Sequence, residues 1–390
     1  MRKVYLDNAA TTPLLPEVRE SMLPFLDELL GNPSSLHDWG DSAREAVTEA
    51  RAGIARLIGA KAEEIIFTSC GTESNNLAVK GLALARQNKG RHLVISAIEH
   101  FSVLHSARTL EKMGFELSLV PVDSSGMVDP DDVRKSLRPD TVLVSILHGS
   151  NEVGTIEPIR EIARITREHK VPLHTDAVAT TGNIPVDVAE LGVDALSLAG
   201  NQFYGPQGAA ALWVRPGVRL IPQLDGGVQE GGRRSGTENV AAIVGLGKAA
   251  ELASDNMTVR MGHLSRLRDR LLDELPQRID HTVVTGDTTS RLPGNASFCI
   301  EFIEGESILM MLNSKGVAAS SGSACTSRAL KASHVLIAMG ITHELAQGSI
   351  VFSLGVDNSP EDVSYVLEVL PPIVDRLRQI SPLYARFIKE

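Results

Sequence analysis

Between residues 65 and 214, short apolar runs rich in β-branched residues alternate with stretches of helical period, and no other feature of the chain restricts its fold as much. The runs fall at 65–68, 92–96, 117–121, 141–147, 194–198 and 209–214, with helical stretches at 73–87, 103–113 and 157–169. Ahead of them, residues 41–58 set Ala43, Ala46, Val47, Ala50, Ile54 and Leu57 on one helical face. Runs this short and this apolar read as strands buried on both sides, and strands separated by helices predict an α/β fold with a mostly parallel sheet covered on both faces.

From about residue 260 the pattern changes to long charged helices, first at 260–275. A last helix is expected to open at Ser359-Pro360-Glu361-Asp362, where serine caps and proline suits the first turn, and to break or kink at Pro371-Pro372. This predicts a large domain over 16–259 and a smaller α+β domain built from 260–390 together with 1–15. A chain of 390 residues is long enough for two such units.

The net charge of −10 argues against nucleic acid as a general partner, because phosphate binding needs a basic face. No run of about 18 apolar residues is present to span a bilayer, and the first residues lack the apolar core of a signal peptide. Cys70, Cys299 and Cys325 are odd in number and far apart, which fits free thiols in a reducing compartment; the cytoplasm is the expected location. Cys70 and Cys299 read as structural, the latter in the apolar strand Ala296-Ser297-Phe298-Cys299-Ile300.

Four segments carry candidate chemistry. The turn Thr68-Ser69-Cys70-Gly71-Thr72-Glu73-Ser74-Asn75-Asn76 joins a strand to a helix, where open N–H groups suit an anion and Thr72 adds a hydroxyl. By itself it reads more readily as a plain capped helix, with Thr72 the cap and Asn75 or Asn76 exposed. His100 follows the 92–96 strand, and His148, Ser150, Asn151 and His174-Thr175-Asp176 sit at further strand ends, where ligands of parallel sheets bind. Asp176 is suited either to accept a proton from a ring nitrogen or to cap the next element. The segment from Ala318 to Ser327 is small and polar, with Cys325 as either an exposed reactive thiol or a buried one.

Taken together, these segments resemble the NifS/IscS group of cysteine desulfurases in the aminotransferase class V superfamily. The resemblance runs through Tyr5-Leu6-Asp7-Asn8-Ala9-Ala10-Thr11-Thr12, Gly31-Asn32-Pro33-Ser34-Ser35, Thr72-Glu73-Ser74-Asn75-Asn76, Asn151-Glu152-Val153-Gly154, Arg234-Ser235-Gly236-Thr237 and Ser321-Gly322-Ser323-Ala324-Cys325. It implies the fold-type I architecture of pyridoxal-phosphate (PLP) enzymes and a homodimer. It further implies that Gly71 and Thr72 hold a cofactor phosphate, that His100 stacks on the ring and assists catalysis, and that Asn151 and Asp176 meet the ring oxygen and ring nitrogen. Thr237 would reach the partner subunit's phosphate, and Cys325 would carry sulfur as a persulfide.

The resemblance fails where its chemistry is most demanding. The family reads serine, a small residue, histidine and lysine before Tyr-Gly-Pro; here Ala199-Gly200-Asn201-Gln202 precede Phe203-Tyr204-Gly205-Pro206. Gln202 thus stands in place of the lysine that forms the Schiff base, and an amide nitrogen is not a nucleophilic amine. Residues 171–247 contain no lysine. Ala179 replaces a glutamine that donates to the ring oxygen, Ala199 and Asn201 replace a phosphate-binding hydroxyl and histidine, and Val351 replaces an arginine that clamps a substrate carboxylate. Val356 also replaces a common basic residue.

These departures lead to the expectation of a desulfurase-like protein without normal desulfurase activity. It would serve iron–sulfur cluster assembly or sulfur relay through Cys325, with a scaffold or sulfur-acceptor protein as partner. Cys325 would receive sulfur from another donor or lend a thiolate to a transient iron–sulfur cluster. PLP would be held beside Asn201 and Gln202 without covalent attachment, or not at all. Two alternatives stay open: an active desulfurase using non-covalent PLP, and a different enzyme activity in the altered pocket.

Overall fold

The computed structural model describes residues 2–322 and 332–389. A seven-stranded sheet lies at its centre, in the order Ile65–Thr68, Ala210–Val214, Ala195–Ala199, Leu173–Asp176, Thr141–Ser145, His92–Ser96 and Glu116–Val120. Ala210–Val214 runs antiparallel to both its neighbours, and the remaining neighbouring pairs are parallel. This is the mixed, mostly parallel sheet that the alternation implies. Apart from the edge strand Glu116–Val120, each of these strands is buried along its whole length, which is why they read as continuous apolar runs. Phe67, Val94 and Leu196 pack into the core on one face, and Ile66, Leu93 and Ile95 into the core on the other.

A further core gathers Val4, Leu6, Leu264, Leu271, Phe298, Phe352, Val366 and Leu370. It surrounds a three-stranded antiparallel sheet of Ser349–Ser353, Asn295–Ile300 and Thr282–Val284. The N-terminal strand Val4–Tyr5 pairs in parallel with Val317–Ala318 beside it.

Two helices differ from the reading of the sequence. The helix expected at 260–275 extends from Val240 to Arg278 and contributes Ala242 to Ala253 to one core and Leu264 to Leu275 to the other. Its N-terminal half crosses the helix Asp38–Leu57 so closely that a Cβ on Gly247 would lie 2.5 Å from the Ala50 Cα. The glycines that weaken helical propensity here are what allow the crossing. The helix Pro360–Ile380 opens on the capping box of Ser359 and Asp362 but does not end at Pro371-Pro372. Its buried stripe, Val363, Val366, Leu367, Leu370, Ile373 and Val374, continues past the prolines and offsets the hydrogen bonds they remove.

Candidate active site

The C-terminal ends of the parallel strands open on a cavity of about 480 Å³. Ile65–Thr68 leads through Ser69 and Cys70 into the 15-residue helix Gly71–Ala85. A Cβ on Gly71 would come within 2.8 Å of Val178 Cγ2, so glycine lets the first turn of this helix close against the loop after Leu173–Asp176. Cys70 is the N-cap residue and makes no side-chain capping bond, which leaves the first-turn N–H groups to a ligand or water. Thr72 lines the cavity from that turn.

His100 caps the helix Phe101–Lys112: its Nδ1 accepts the Ser102 N–H at 3.1 Å and lies 2.7 Å from the Ser102 hydroxyl. Asp176 ends its strand and is buried. Its carboxylate accepts Asn75 Nδ2 at 2.6 Å and the Val178 N–H at 3.0 Å. Burial raises its pKa, while nearby His100 and these donors pull it down. Asn75 also donates to the Ser102 hydroxyl at 2.8 Å, linking the phosphate-type turn, the His100 turn and Asp176 into one network. Asn75 is therefore buried, not exposed; the helical period that places it one turn beyond Gly71 and Thr72 carried that signal.

On the far side of Asp176 the strand Ala195–Ala199 ends in the turn Gly200–Gln202. Gln202 Nε2 donates to the Ala9 carbonyl at 2.9 Å and reaches the Ala10 carbonyl at 3.5 Å. Asn201 Nδ2 also reaches the Ala10 carbonyl, at 3.4 Å, and the Asn201 carbonyl accepts the Thr12 N–H at 2.8 Å. The segment Asp7–Thr12 is thereby stitched along the turn Gly200–Gln202.

The cavity brings together Gly71, Thr72, His100, Asn151, Asp176, Asn201 and Gln202. It also brings together the substituted positions Ala179, Ala199 and Val351. Thr237 is exposed ahead of the helix Val240–Arg278 and does not line the cavity of its own chain. Cys325 lies outside the described residues. His148 and His174 are structural: both are buried, His148 bonded to Thr180 and His174 to Ser145 and Ser197. Burial lowers their pKa values to about 4 and about 3. Cys299 is a core residue, and burial pushes its thiol up to about 12. Cys70, read from the sequence as structural, is instead exposed and lines the cavity. An N-cap position facing a ligand turn exposes its side chain, and that outweighs the general tendency of cysteine to be buried.

Sequence reading missed several lining groups that sit far apart in the chain. Asp7, Glu99, Glu152 and His334 all face the cavity. Burial raises Asp7, against a hydrogen bond from Ser320, and lifts Glu99 well above the usual carboxylate range, helped by Asp176. Burial also lifts Glu152 to about 8. His334 hydrogen-bonds the Glu99 carbonyl through Nε2 at 3.0 Å and packs on Phe101 with ring centroids 4.7 Å apart. Among the described residues lining the cavity there is no lysine and no arginine. No group of three or more His, Cys, Asp or Glu among the described residues is placed to hold a metal, and no described helix is long and apolar enough to cross a membrane.

These residues fit part of a PLP molecule. The helix N-terminus offers donors to a phosphate, and the buried, hydrogen-bonded Asp176 offers an acceptor to a ring N–H. The set does not fit covalent attachment, since none of the described lining residues carries a primary amine.

The aminotransferase class-V family profile matches residues 4–366. A curated relative from Dictyoglomus turgidum, cysteine desulfurase IscS, is 52% identical over 98% of this chain and 97% of its own. Cysteine desulfurase IscS of Methanosarcina thermophila is 50% identical over 98% of this chain and 94% of its own. A solved structure described as a NifS-like protein superposes with a TM-score of 0.91 at 36% identity, covering 96% of this chain and all of that one.

Proposed function

We propose that this chain, which belongs to the cysteine desulfurases of the aminotransferase class V family, has given up sulfur extraction from cysteine and serves iron–sulfur cluster assembly or sulfur relay through Cys325. One observation carries this reading: the residue in place of the attachment lysine is an amide whose nitrogen is committed to the Ala9 carbonyl. PLP, when bound, supplies an electron sink for the Cα of an amino acid. Everything else that reaction needs must come from side chains.

Several of those side chains remain. The first turn at Gly71 and Thr72 would hold the phosphate, His100 would cover the ring, Asp176 would keep the ring nitrogen protonated, and Asn151 would meet the ring oxygen. Thr237, exposed on its own chain, would reach the phosphate of the partner subunit in a homodimer. Among the described residues lining the cavity, none offers an amine to move the Cα proton or a guanidinium to clamp the carboxylate, and Gln202 and Val351 occupy those walls. A cavity that keeps the ring contacts and lacks both catalytic groups can hold the cofactor without turning over cysteine. Cys325 would then take sulfur from another persulfide donor, or lend a thiolate to a cluster forming on a scaffold protein, in the cytoplasm.

Sulfide release from cysteine, measured with reductant and added PLP, should stay at background. Robust turnover that disappears in Cys325→Ala would refute the proposal. Anaerobic copurification with a scaffold or sulfur-acceptor protein, dependent on Cys325, is the positive result expected. A different reaction in the altered cavity is the second reading; it is favoured by the exposed thiol of Cys70 on the cavity wall, a group the sulfur-relay reading does not use.

A further inference from the structure

The orientation of the Gln202 amide decides which chemical face the cavity shows at the position of the lost lysine. Its nitrogen points at two backbone carbonyls, Ala9 O at 2.9 Å and Ala10 O at 3.5 Å. Turning the amide over would set Oε1 against both of those oxygens, so the hydrogen bonds fix its sense. The segment that supplies the carbonyls is itself held, with the Ala9 N–H donating to Ser353 Oγ at 2.8 Å and the Thr12 N–H to the Asn201 carbonyl. With Nε2 committed to the wall, Oε1, an acceptor, is the polar atom that the Gln202 side chain has left to offer a ligand.

The acids around it add further acceptors. Asp7, Glu99, Glu152 and Asp176 line the cavity, raised by burial toward their neutral forms, and beside them the described lining residues include His100 and His334 but no lysine or arginine. Asp7 stands two residues before Ala9, bonded to Ser320 beside Val351. An aldehyde oxygen is an acceptor only and finds no amine here to react with. An ammonium group is a donor with three N–H bonds and a positive charge, and it meets acceptors and carboxyl groups. The donors at the Gly71–Thr72 helix N-terminus still suit a phosphate.

We propose that this cavity selects the vitamin B6 cofactor in its amine form, pyridoxamine phosphate, over the aldehyde form, with Gln202 as the residue that sets the preference. The proposal rests on the reading that Gln202 cannot bond the aldehyde, and adds which form the protein holds.

The test uses the whole protein stripped of bound vitamers, titrated calorimetrically with pyridoxamine phosphate, PLP, unphosphorylated pyridoxamine and inorganic phosphate. Pyridoxamine phosphate should bind at least about tenfold tighter than PLP, with pyridoxamine and phosphate both weaker. Gln202→Met, which keeps the length and removes both the acceptor and the brace to the Ala9 carbonyl, should bring the two phosphorylated forms within about threefold of each other, while the ligand-free protein still unfolds cooperatively at a somewhat lower temperature. Gln202→Lys should reverse the order. Equal or tighter binding of PLP, or binding of neither form, overturns the proposal. Borohydride reduction of the PLP-loaded protein, followed by mass spectrometry, separates the two ideas. Tight PLP without a covalent adduct defeats only the amine preference. A stoichiometric adduct confined to one lysine, Lys331 outside the described residues included, defeats the reading beneath it as well.

Discussion

Gln202 donates its side-chain amide to the backbone carbonyl of Ala9 at 2.9 Å, so the residue that stands where the family resemblance implies a lysine braces the cavity wall. Restoring the lysine should restore attachment and not activity. Gln202→Lys is expected to turn the PLP-loaded protein yellow and to yield a borohydride-stable adduct. Sulfide release should rise only when Val351→Arg is added, because Val351 lines the same cavity and gives a substrate carboxylate no charged partner. A charge-assisted hydrogen bond contributes about 1.5–3 kcal/mol, so the double variant should exceed the single by roughly 10- to 100-fold in kcat/KM. Equal activity of the two would show that the carboxylate is held elsewhere.

The turn that leads to Gly71 depends on a buried ion pair behind it. Arg51 Nη1 and Nη2 meet the two carboxylate oxygens of Glu230 at 2.7 Å each, and Glu230 also accepts the Phe67 N–H at 2.8 Å. The Glu230 side chain is only 1% exposed, and the Arg51 guanidinium lies 4.5 Å from the centroid of the Phe67 ring. Arg51→Met leaves a carboxylate buried without its cation, which typically costs about 3–5 kcal/mol. Urea denaturation should show a loss of unfolding free energy of that size. It should be accompanied by weaker phosphate binding, because the strand Ile65–Thr68 positions the helix N-terminus at Gly71.

Stability should fall on the alkaline side because of a carboxyl group away from the cavity. Glu157 is buried, accepts the Val128 N–H at 2.8 Å through Oε2, and leaves Oε1 without a partner among the described residues. Burial raises its pKa to about 8. A carboxyl whose folded value lies above its unfolded value of about 4.3 contributes its full stability below that lower value and loses it as pH rises through about 8. His148 and His174, depressed by burial, act on the other limb, destabilising the fold as pH drops below about 6.5. Glu157→Gln supplies a neutral isostere and should remove its share of the decline between roughly pH 5 and 9, on the order of 1–3 kcal/mol at the upper end, while Glu99 and Glu152 keep theirs. Urea midpoints measured across that range for both proteins check it; parallel curves would exclude Glu157 as the source.

Much of the scaffold was legible because its signals are local. Continuous apolar runs between helical stretches identify a buried parallel sheet, and the strand ends carrying Thr72, His100 and Asp176 follow from it. The losses at 179, 199, 202 and 351 were legible as departures from a family pattern, and the fold places all four on one cavity. What stayed hidden was relational. Nothing in the local sequence says that Asn75 would bond Asp176, 101 residues away. Nor does it say that Gln202 would reach back to Ala9, 193 residues away. The long helix Val240–Arg278 is foreshortened in the sequence for a similar reason: Gly245 and Gly247 suggest a weak helix until Met22 and Pro206 pack against the first and Ala50 against the second.

The cysteines supply the sharpest chemical contrast in the molecule. Cys299 lies in the strand Asn295–Ile300 with no exposed surface, and its thiol is pushed up to about 12 by burial, so it stays protonated and out of reach in the folded state. Cys70 is exposed on the cavity wall, adjoining Gly71 and Thr72, with its Sγ 3.7 Å from Ser69 Oγ. In a Cys325→Ala background, which removes the third thiol, iodoacetamide should therefore modify Cys70 and leave Cys299 untouched until denaturant is added. A phosphate-bearing ligand seated at the first turn of the helix Gly71–Ala85 would crowd the same thiol, so added pyridoxamine phosphate should slow the modification about tenfold or more when its concentration is at least about ten times its Kd. Peptide mapping by mass spectrometry reads both sites at once. Labelling of Cys70 at an unchanged rate in the presence of a saturating ligand would place the phosphate away from Gly71 and Thr72, and with it the ring away from Asp176.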